Sequence, residues 1–323
     1  MQYVPFGRTG LTVSVAGLGC GGNSILGLAK GKSEAEAVQL VRAAFDQGVT
    51  LFDTAEAYGT EGVVGEAAKQ IGRDKVIVAS KARMREDGEF ITAAQLEAKL
   101  DASLAKLQTD YIDIYQLHAV TPAMVEHVEE ELVPALQAAK AAGKIRHIGL
   151  TETSPHDHDQ LTLQRVLPTG VWESAMFAFN LMHQGARQDV FPLTEKHGVG
   201  TLLMFVVRNV FSQPGVLQQT VKELVAAGQL PEKLADDPEP LGFLIHESGA
   251  ASLLDAAYRY GRHEPGAHVT LFGTSEIAHL EANIASILRP PLPAADRKRV
   301  AKIFGHLKGV GLDLPTRAKA PKH

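Results

Sequence analysis

The sequence has one cysteine, no excess of positive charge and no long hydrophobic run. Cys20 cannot form an internal disulfide, and this composition suits a reducing, cytoplasmic compartment. A net charge of −5 and a pI near 6.2 argue against a nucleic-acid partner, which normally leaves a basic footprint. The longest strongly apolar run, LLMFVV at 202–207, is far shorter than the roughly 20 residues that cross a bilayer. We therefore expect a cytoplasmic protein with no membrane or nucleic-acid partner.

Short apolar runs alternate with helix-like segments along the 323 residues. Strands alternating with helices of about 10–15 residues predict right-handed βαβ units and a parallel sheet. Eight such units favour an α/β fold of the (βα)8 TIM-barrel type over an open sheet, as a single domain over 1–323. The predicted strands are 14–20, 50–53, 76–81, 111–117, 145–150, 170–174, 199–205 and 268–273.

Helices are predicted between these strands. The first, 33–48, opens on the capping residue Ser33, carries Glu36 three positions later and closes on Gly48. Other helical patterns cover 92–107, 126–143 and 276–288.

Three further segments flank or interrupt the repeating pattern. Residues 2–13 predict an N-terminal β-hairpin that turns at RTG. The irregular stretch 206–240 after strand seven is interpreted as a loop over the barrel mouth or as an inserted helix on its side. A C-terminal tail covers 290–323, and its basic end, PTRAKAPKH, reads as a solvated terminus.

The glycine-rich segment GLGCGG at 17–22 fits the pattern of a dinucleotide-binding turn. In such a fold a helix opens directly on the glycines, and an acidic residue follows about 20 residues later. Here the first good helix begins near Ser33, and the next strand ends at Asp53, 31 residues after Gly22. Glycines at a barrel rim, where a ligand approaches the backbone closely, suit this segment better.

Polar side chains collect at the carboxyl ends of the predicted strands, where barrel enzymes hold their chemistry. Asp53, Lys81 and His118 end three successive strands, and Tyr58 follows Asp53 by five positions. Each has an ordinary structural interpretation by itself, as a helix cap, a solvated strand end or a core histidine. Their shared position favours one site.

Together these four residues suit the reduction of a carbonyl group. A phenol has an unperturbed pKa of about 10, so Tyr58 can donate a proton to a developing alkoxide. Lys81 would lower the phenol's pKa, Asp53 would hold Lys81 charged, and His118 would polarise the same carbonyl oxygen. The hydride must come from elsewhere, which implies a nicotinamide cofactor.

The sequence resembles the aldo-keto reductases over residues 6 to about 288. The resemblance implies an NADP- or NAD-dependent barrel enzyme that interconverts a carbonyl and an alcohol, with a catalytic tetrad of Asp53, Tyr58, Lys81 and His118. The matching segments, in family order, are FGRTGLTVSVAGLGCGG, LFDTAEAYGTEGVVGEAAK, VIVASK, LDASLAKLQTDYIDIYQLH, GKIRHIGLTETS, FNLMHQ and LFGTSEIAHLEANI.

The resemblance also implies a set of cofactor contacts. They fall at strand ends and at the start of the last predicted helix. The residues are Gly19, Cys20, Gly21, Thr151, Glu152, Met176, Phe205, Arg208, Gly273, Thr274, Ser275, His279 and Asn283.

Several of these positions depart from the family pattern. Thr151-Glu152 replaces the common Ser-Asn that grips the nicotinamide carboxamide, and Met176 replaces a common Gln. We therefore hypothesise that the nicotinamide is held differently here. Glu276 stands where cations commonly meet the adenosine 2′-phosphate, and a carboxylate repels that group. A weakened preference for NADP, with use of NAD, is the second hypothesis.

Two other functions stay open at this level. The resemblance extends to channel-associated β subunits, so a redox-silent, cofactor-binding regulatory barrel is one alternative. An isomerase or lyase that reuses the tetrad for proton transfer is the other. The segment PHDHD at 155–159 is interpreted as a solvated helix start, and we expect no metal. Substrate identity and oligomeric state have no readable signature.

Overall fold

A computed structural model describes residues 1–314 of the chain, except for the side chain of Ser154. Eight parallel strands in this part close into a barrel, with helices between them, as the sequence predicts. Strand β1 pairs with both β2 and β8, so the first and last strands are neighbours. The barrel strands are β1 (Ala16–Gly19), β2 (Leu51–Asp53), β3 (Ile77–Arg83), β4 (Ile112–Val120), β5 (Ile145–Glu152), β6 (Ser174–Ala178), β7 (Gly200–Met204) and β8 (Val269–Phe272).

The helices surround the barrel, and local capping defines where several of them begin. Ser33 with Glu36, and Thr92 with Gln95, form capping boxes at the first and third long helices. The predicted helix 126–143 consists of three consecutive pieces joined through a π-helical turn at Val128–Leu132. The α-helices are Glu34–Asp46, Glu61–Ile71, Ala93–Leu107, Val125–His127, Val133–Ala141, Leu161–Val166, Ala186–Asp189, Phe191–His197, Asn209–Ser212, Val216–Ala226, Leu253–Arg262, Ile277–Leu288 and Ala294–Phe304. Among residues 1–314, no helix combines the length and apolarity needed to span a bilayer.

The predicted N-terminal hairpin closes the bottom of the barrel. Its strands, Tyr3–Pro5 and Thr12–Ser14, pair antiparallel, and Phe6 between them is fully buried. Phe6 packs directly on the backbone of Gly200 at the start of β7, where a Cβ would lie 2.4 Å from the ring. A short second hairpin joins Arg85–Glu86 and Glu89–Phe90 after β3. Because the N-terminal hairpin covers the bottom of the barrel, a ligand reaches the tetrad from the opposite end.

The sixth strand lies further along the chain than predicted. It covers Ser174–Ala178, whereas the pattern GVWES indicated 170–174. The Glu173 side chain bonds to Nδ1 of His147 at 2.9 Å and Nζ of Lys140 at 2.5 Å, at the amino-terminal face of the barrel. These contacts lower the pKa of Glu173 to about 2 against the opposing effect of burial. The backbone of Glu173 still bonds to the two neighbouring strands, through Ile148 and Gly200 at 2.9 Å each.

The segment after β7 combines the two arrangements that the sequence allowed, a loop at the barrel mouth and a helix on its side. Its beginning, including Val206 and Arg208, lines the cavity at the barrel mouth. Its main helix, Val216–Ala226, is not among the residues that line this cavity and packs beside the helix Asn209–Ser212. The C-terminal tail contains the helix Ala294–Phe304, and its last part, 315–323, lies outside the described residues.

Candidate active site

Strand alternation directs the predicted tetrad into the upper end of the barrel. Successive residues of a strand point to opposite faces, so residues two apart share one face. Ala79 and Ile114 belong to a buried cluster inside the barrel. Lys81 follows Ala79 by two positions, and His118 follows Ile114 by four, so both point inward one or two layers higher. Asp53, two residues after the interior Leu51, completes this upper layer.

Lys81 is the centre of the site. Its ammonium nitrogen lies 2.7 Å from Oδ1 of Asp53 and 2.8 Å from the carbonyl oxygen of Thr54. The Lys81 side chain is fully buried and that of Asp53 is nearly so. A buried ammonium needs such an ion pair and hydrogen bonds, because desolvation of an isolated charge is costly. The pair therefore places a fixed positive charge beneath the cavity.

Tyr58 brings its phenol to this charge and to His118. It ends a short 3₁₀ helix, Glu56–Tyr58, that follows β2. The phenolic oxygen is 3.5 Å from both Nζ of Lys81 and Nε2 of His118. The Tyr58 and His118 rings meet edge to face at 86°, with centroids 5.5 Å apart. A proton donor, a cation and an imidazole thus converge on one point.

The pKa values differ from the sequence expectation in one respect. Burial raises the pKa of Tyr58, and the nearby Lys81 charge opposes this shift without cancelling it. Lys81 therefore acts in the predicted direction, but desolvation outweighs it. Burial by itself would lower the pKa of Lys81, yet the charge of Asp53 and the hydrogen bonds with Asp53 and Tyr58 reverse this and raise it. The ammonium stays protonated, and so does the phenol at neutral pH.

A β-bulge re-aims the end of β4. The pairing between β4 and β5 shifts register between Leu117 and Val120, and Ala119 adopts a positive φ of 60°. The backbone N–H of Ala119 donates to Oγ1 of Thr151 at 2.8 Å. Bulges beside active sites commonly redirect a side chain, and this one fixes the backbone next to His118. Thr151 therefore lines the cavity and also holds the backbone of β4 beside His118.

The tetrad opens into a cavity of about 1000 Å³. This volume reaches the upper end of the range, about 300–1,000 Å³, that small-molecule and cofactor sites occupy. The cavity continues past the end of β8 to the first turns of the helix Ile277–Leu288. Of the predicted cofactor contacts, it is lined by Gly19, Gly21, Thr151, Glu152, Met176, Phe205, Arg208, Gly273, Thr274, Ser275, His279 and Asn283.

Cys20 is the one predicted cofactor contact that the structure does not bring to the cavity. Its side chain is fully buried, and its Sγ lies 3.6 Å from the carbonyl oxygen of Leu18. Burial also raises its pKa far above the ordinary range, which disfavours the thiolate. The alternation of β1 turns Cys20 into the core while its neighbours Gly19 and Gly21 face the ligand space.

Two residues at the cavity wall, Glu152 and Arg208, are held by other parts of the chain. Oε1 of Glu152 accepts hydrogen bonds from the backbone N–H of Ala178 at 2.8 Å and from Nε2 of Gln160 at 3.3 Å. Arg208 pairs with the carboxylate of Asp313 at 2.9 Å, which docks the C-terminal segment beside the cavity. Gln160 and Asp313 were missed in the sequence because their positions carry no motif.

Glu276 is paired with a cation that the sequence analysis also missed. Its carboxylate lies 2.9 Å from Nζ of Lys32, and the same nitrogen donates to the carbonyl oxygen of Ser275 at 2.6 Å. The hypothesis of a weakened NADP preference assumed a carboxylate with no cation beside it. The GLAKGK segment after β1 contains two lysines, but its sequence gives no sign that they reach the end of β8.

The PHDHD segment serves the fold. Asp157 accepts hydrogen bonds from the backbone N–H groups of Leu161 and Thr162, both at 2.9 Å, at the start of the helix Leu161–Val166. Among the described residues, no group of three or more His, Cys, Asp or Glu side chains is arranged to hold a metal.

Comparisons with known proteins point to one family. The model of the aldo/keto reductase family matches residues 17–304. The chain is similar to the aldo-keto reductase YhdN of Bacillus subtilis (strain 168), with 30% identity over 332 residues that cover 94% of each chain. It is 35% identical to the L-galactose dehydrogenase of Arabidopsis thaliana over 202 residues, which cover 61% of this chain and 62% of that one. The holo form of aldo-keto reductase AKR11C1 from Bacillus halodurans has the same fold, with a TM-score of 0.75 and 24% identity over 97% of this chain and 100% of the other.

Proposed function

Because this chain belongs to the aldo/keto reductase family of oxidoreductases, we propose that it interconverts a small carbonyl compound and an alcohol with NADPH or NADH. The observation that carries the proposal is the position of the Tyr58 hydroxyl, 3.5 Å from both Lys81 and His118 at the floor of the cavity. An aldehyde, a ketone or a sugar in its open form supplies the carbonyl. A cytoplasmic location stays a prediction of the composition.

The cavity suits a dinucleotide at several points. Gly19 and Gly273 keep the ends of the adjacent strands β1 and β8 free of side chains. The helix Ile277–Leu288 begins at the far end, and helix N-termini favour phosphate groups through their free N–H donors and dipole. Thr151 and Glu152 line the end nearer the tetrad. These groups would hold the cofactor across the barrel mouth.

When bound, the nicotinamide supplies a hydride for the carbonyl carbon. Tyr58 donates its proton to the carbonyl oxygen as that oxygen gains negative charge. Lys81 then stabilises the resulting phenolate across 3.5 Å, and Asp53 keeps the ammonium charged and in place. His118 hydrogen-bonds the same oxygen and orients the carbonyl. In alcohol oxidation the phenolate of Tyr58 accepts the proton.

The direct test is the Tyr58→Phe variant, which removes the proton donor and keeps the ring. General acid catalysis contributes roughly 10²–10⁴-fold, so carbonyl reduction is expected to fall at least about a hundredfold. Cofactor affinity, measured by fluorescence quenching, is expected to stay within about threefold, since the ring and Lys81 remain. Tyr3→Phe is the control, because Tyr3 is an exposed tyrosine on the opposite hairpin.

The substrate assay uses NADPH or NADH with a panel of aldehydes, ketones and sugars, and follows absorbance of the reduced nicotinamide. Wild-type turnover in Tyr58→Phe would refute the mechanism. Tight cofactor binding without turnover by the unmodified protein would favour a regulatory barrel. Substrate conversion without consumption of nicotinamide would favour an isomerase or lyase.

A further inference from the structure

Two lysines from the segment after β1 reach across to the end of β8. Nζ of Lys30 lies 3.1 Å from Oγ of Ser275, a residue 245 positions later in the chain. Nζ of Lys32 lies 2.6 Å from the carbonyl oxygen of Ser275 and 2.9 Å from the carboxylate of Glu276. Ser275 and Lys30 both line the cavity. The closed barrel makes these contacts possible, because β1 and β8 are adjacent strands.

The segment that carries the lysines has a defined shape. It follows the glycine-rich end of β1 and forms the 3₁₀ turn Ile25–Lys30, in which Leu26 is buried at 1% exposure with a positive φ of 58°. Gly31 follows with a φ of 82° and reverses the chain. A buried anchor and a fixed reversal hold the two ammonium groups at one place on the cavity rim.

The rim carries charges of both signs. Lys30, Lys32 and the partial positive charge at the N-terminal end of the helix Ile277–Leu288 lie near two carboxylates, Glu276 and the exposed Glu36. The hydrogen bond from Lys32 lowers the pKa of Glu276, and the charges of Lys32 and Lys30 act in the same direction. The carboxylate of Glu276 is therefore ionised, and Lys30 contacts the hydroxyl of Ser275 rather than this carboxylate.

The ion pair between Lys32 and Glu276 is weak enough for another anion to replace Glu276. The side chains of Lys32 and Glu276 are 28% and 47% exposed, and exposed pairs of this kind contribute only about 0–1 kcal/mol. A phosphate monoester carries about −1.5 to −2 charges at neutral pH and accepts several hydrogen bonds. Such a group competes with Glu276 for Lys32 and also attracts Lys30 and the hydroxyl of Ser275.

We propose that Lys30, Lys32 and Ser275 form the site for the adenosine 2′-phosphate of NADP(H), with Lys32 leaving Glu276 to bind the phosphate. The inference rests on the proposed function, which places a dinucleotide in the cavity with its adenosine end at β8. On this inference, Lys30 and Lys32 in the segment after β1 determine whether the protein prefers NADP(H) or NAD(H). The position of Glu276 alone indicated NAD, whereas the two lysines that meet at Ser275 favour the additional phosphate of NADP(H).

Nucleotide fragments test the site without any catalytic step. Isothermal titration calorimetry compares adenosine 2′,5′-bisphosphate with adenosine 5′-monophosphate, which differ only in the 2′-phosphate. The unmodified protein is expected to bind the bisphosphate at least tenfold more tightly. Lys32→Met and Lys30→Met are each expected to lose at least fivefold affinity for the bisphosphate and less than twofold for the monophosphate. Lys222→Met, at an exposed lysine on the helix Val216–Ala226, is the control for net charge.

Glu276→Gln is expected to change the affinity for the bisphosphate in the opposite direction to the lysine variants. Removal of the competing carboxylate frees Lys32, so the bisphosphate is expected to bind more tightly while the monophosphate does not. Equal affinity of the two fragments for the unmodified protein would overturn the inference and leave the proposed function intact. An equal loss for both fragments in the lysine variants would also overturn it, because the lysines would then support the loop. Failure of both fragments, and of whole NADPH and NADH, to bind would overturn the proposed function as well.

Discussion

Gly21 packs against the ring of Tyr58 so closely that a Cβ at Gly21 would lie 2.6 Å from Cε2 of that ring. Real Cβ atoms do not approach a neighbour this closely, so any side chain at Gly21 must displace the phenol or the backbone. The end of β1 therefore sets the position of the residue that we propose as the proton donor. This contact explains why a glycine stands at position 21 in the GLGCGG segment.

Gly21→Ala is expected to lower turnover by about tenfold to a hundredfold, because small misplacements of a reacting group have effects of that size. Adenosine 5′-monophosphate is expected to bind within twofold of the unmodified protein, since its proposed site is at the other end of the cavity. Gly62→Ala is the matched control, because a Cβ there meets nothing within 4 Å and Gly62 lies in a helix. Unchanged turnover in Gly21→Ala would show that the Tyr58 ring position does not limit the reaction.

The raised pKa of Tyr58 gives a pH profile with a definite sign. Reduction needs the protonated phenol, so its kcat is expected to stay level from pH 7 to about 10, the ordinary pKa of a phenol. Alcohol oxidation needs the phenolate, so its kcat is expected to rise over the same range. Steady-state kinetics in both directions provides the measurement. A fall in reduction centred below about pH 9 would mean that Lys81 dominates over burial.

Lys81→Met is expected to destabilise the protein by about 3–5 kcal/mol at neutral pH, because it leaves the buried Asp53 carboxylate without its cation. Burial raises the pKa of Asp53, and the variant loses the Lys81 charge that opposes this. The folded variant therefore binds a proton more readily than the unfolded chain, and its deficit shrinks as the pH falls toward the ordinary carboxyl pKa.

Denaturant unfolding measures this difference, and Asp53→Asn/Lys81→Met supplies the comparison. The double variant is expected to recover part of the stability, since neither charge remains buried. A single variant as stable as the unmodified protein at pH 7 would mean that water or another cation compensates Asp53.

Glu152→Asn tests whether the nicotinamide end differs from the family pattern. The shorter side chain is expected to lose the hydrogen bond from the Ala178 backbone N–H and to change cofactor affinity or turnover by at least about threefold. Glu152→Gln keeps the length and an acceptor oxygen, so it separates loss of charge from loss of reach. The hypothesis fails if cofactor binding and turnover are both unchanged in Glu152→Asn.

The barrel could be predicted because its signals are local. Eight apolar runs that alternate with helical patterns indicated the strand count, and the capping residue Ser33 indicated the start of the first helix. The sixth strand was misplaced because GVWES and the following SAMFA both have the apolar character of a buried strand. The choice between them depends on pairing with the neighbouring strands, in which Ser174 lies opposite Gly149 and Gly200, about 25 residues away on either side in the chain.

One part of the candidate site could likewise be predicted from local signals, and another part could not. The positions of Asp53, Lys81 and His118 at successive strand ends follow from alternation and strand order, so the sequence by itself placed them together at the barrel mouth. Only the tertiary structure decided that burial outweighs Lys81 in the pKa of Tyr58, that Cys20 faces the core, and that Lys32 neutralises Glu276. These outcomes depend on desolvation and on contacts between segments brought together by closure of the barrel, and neither property is encoded in a local pattern of residues.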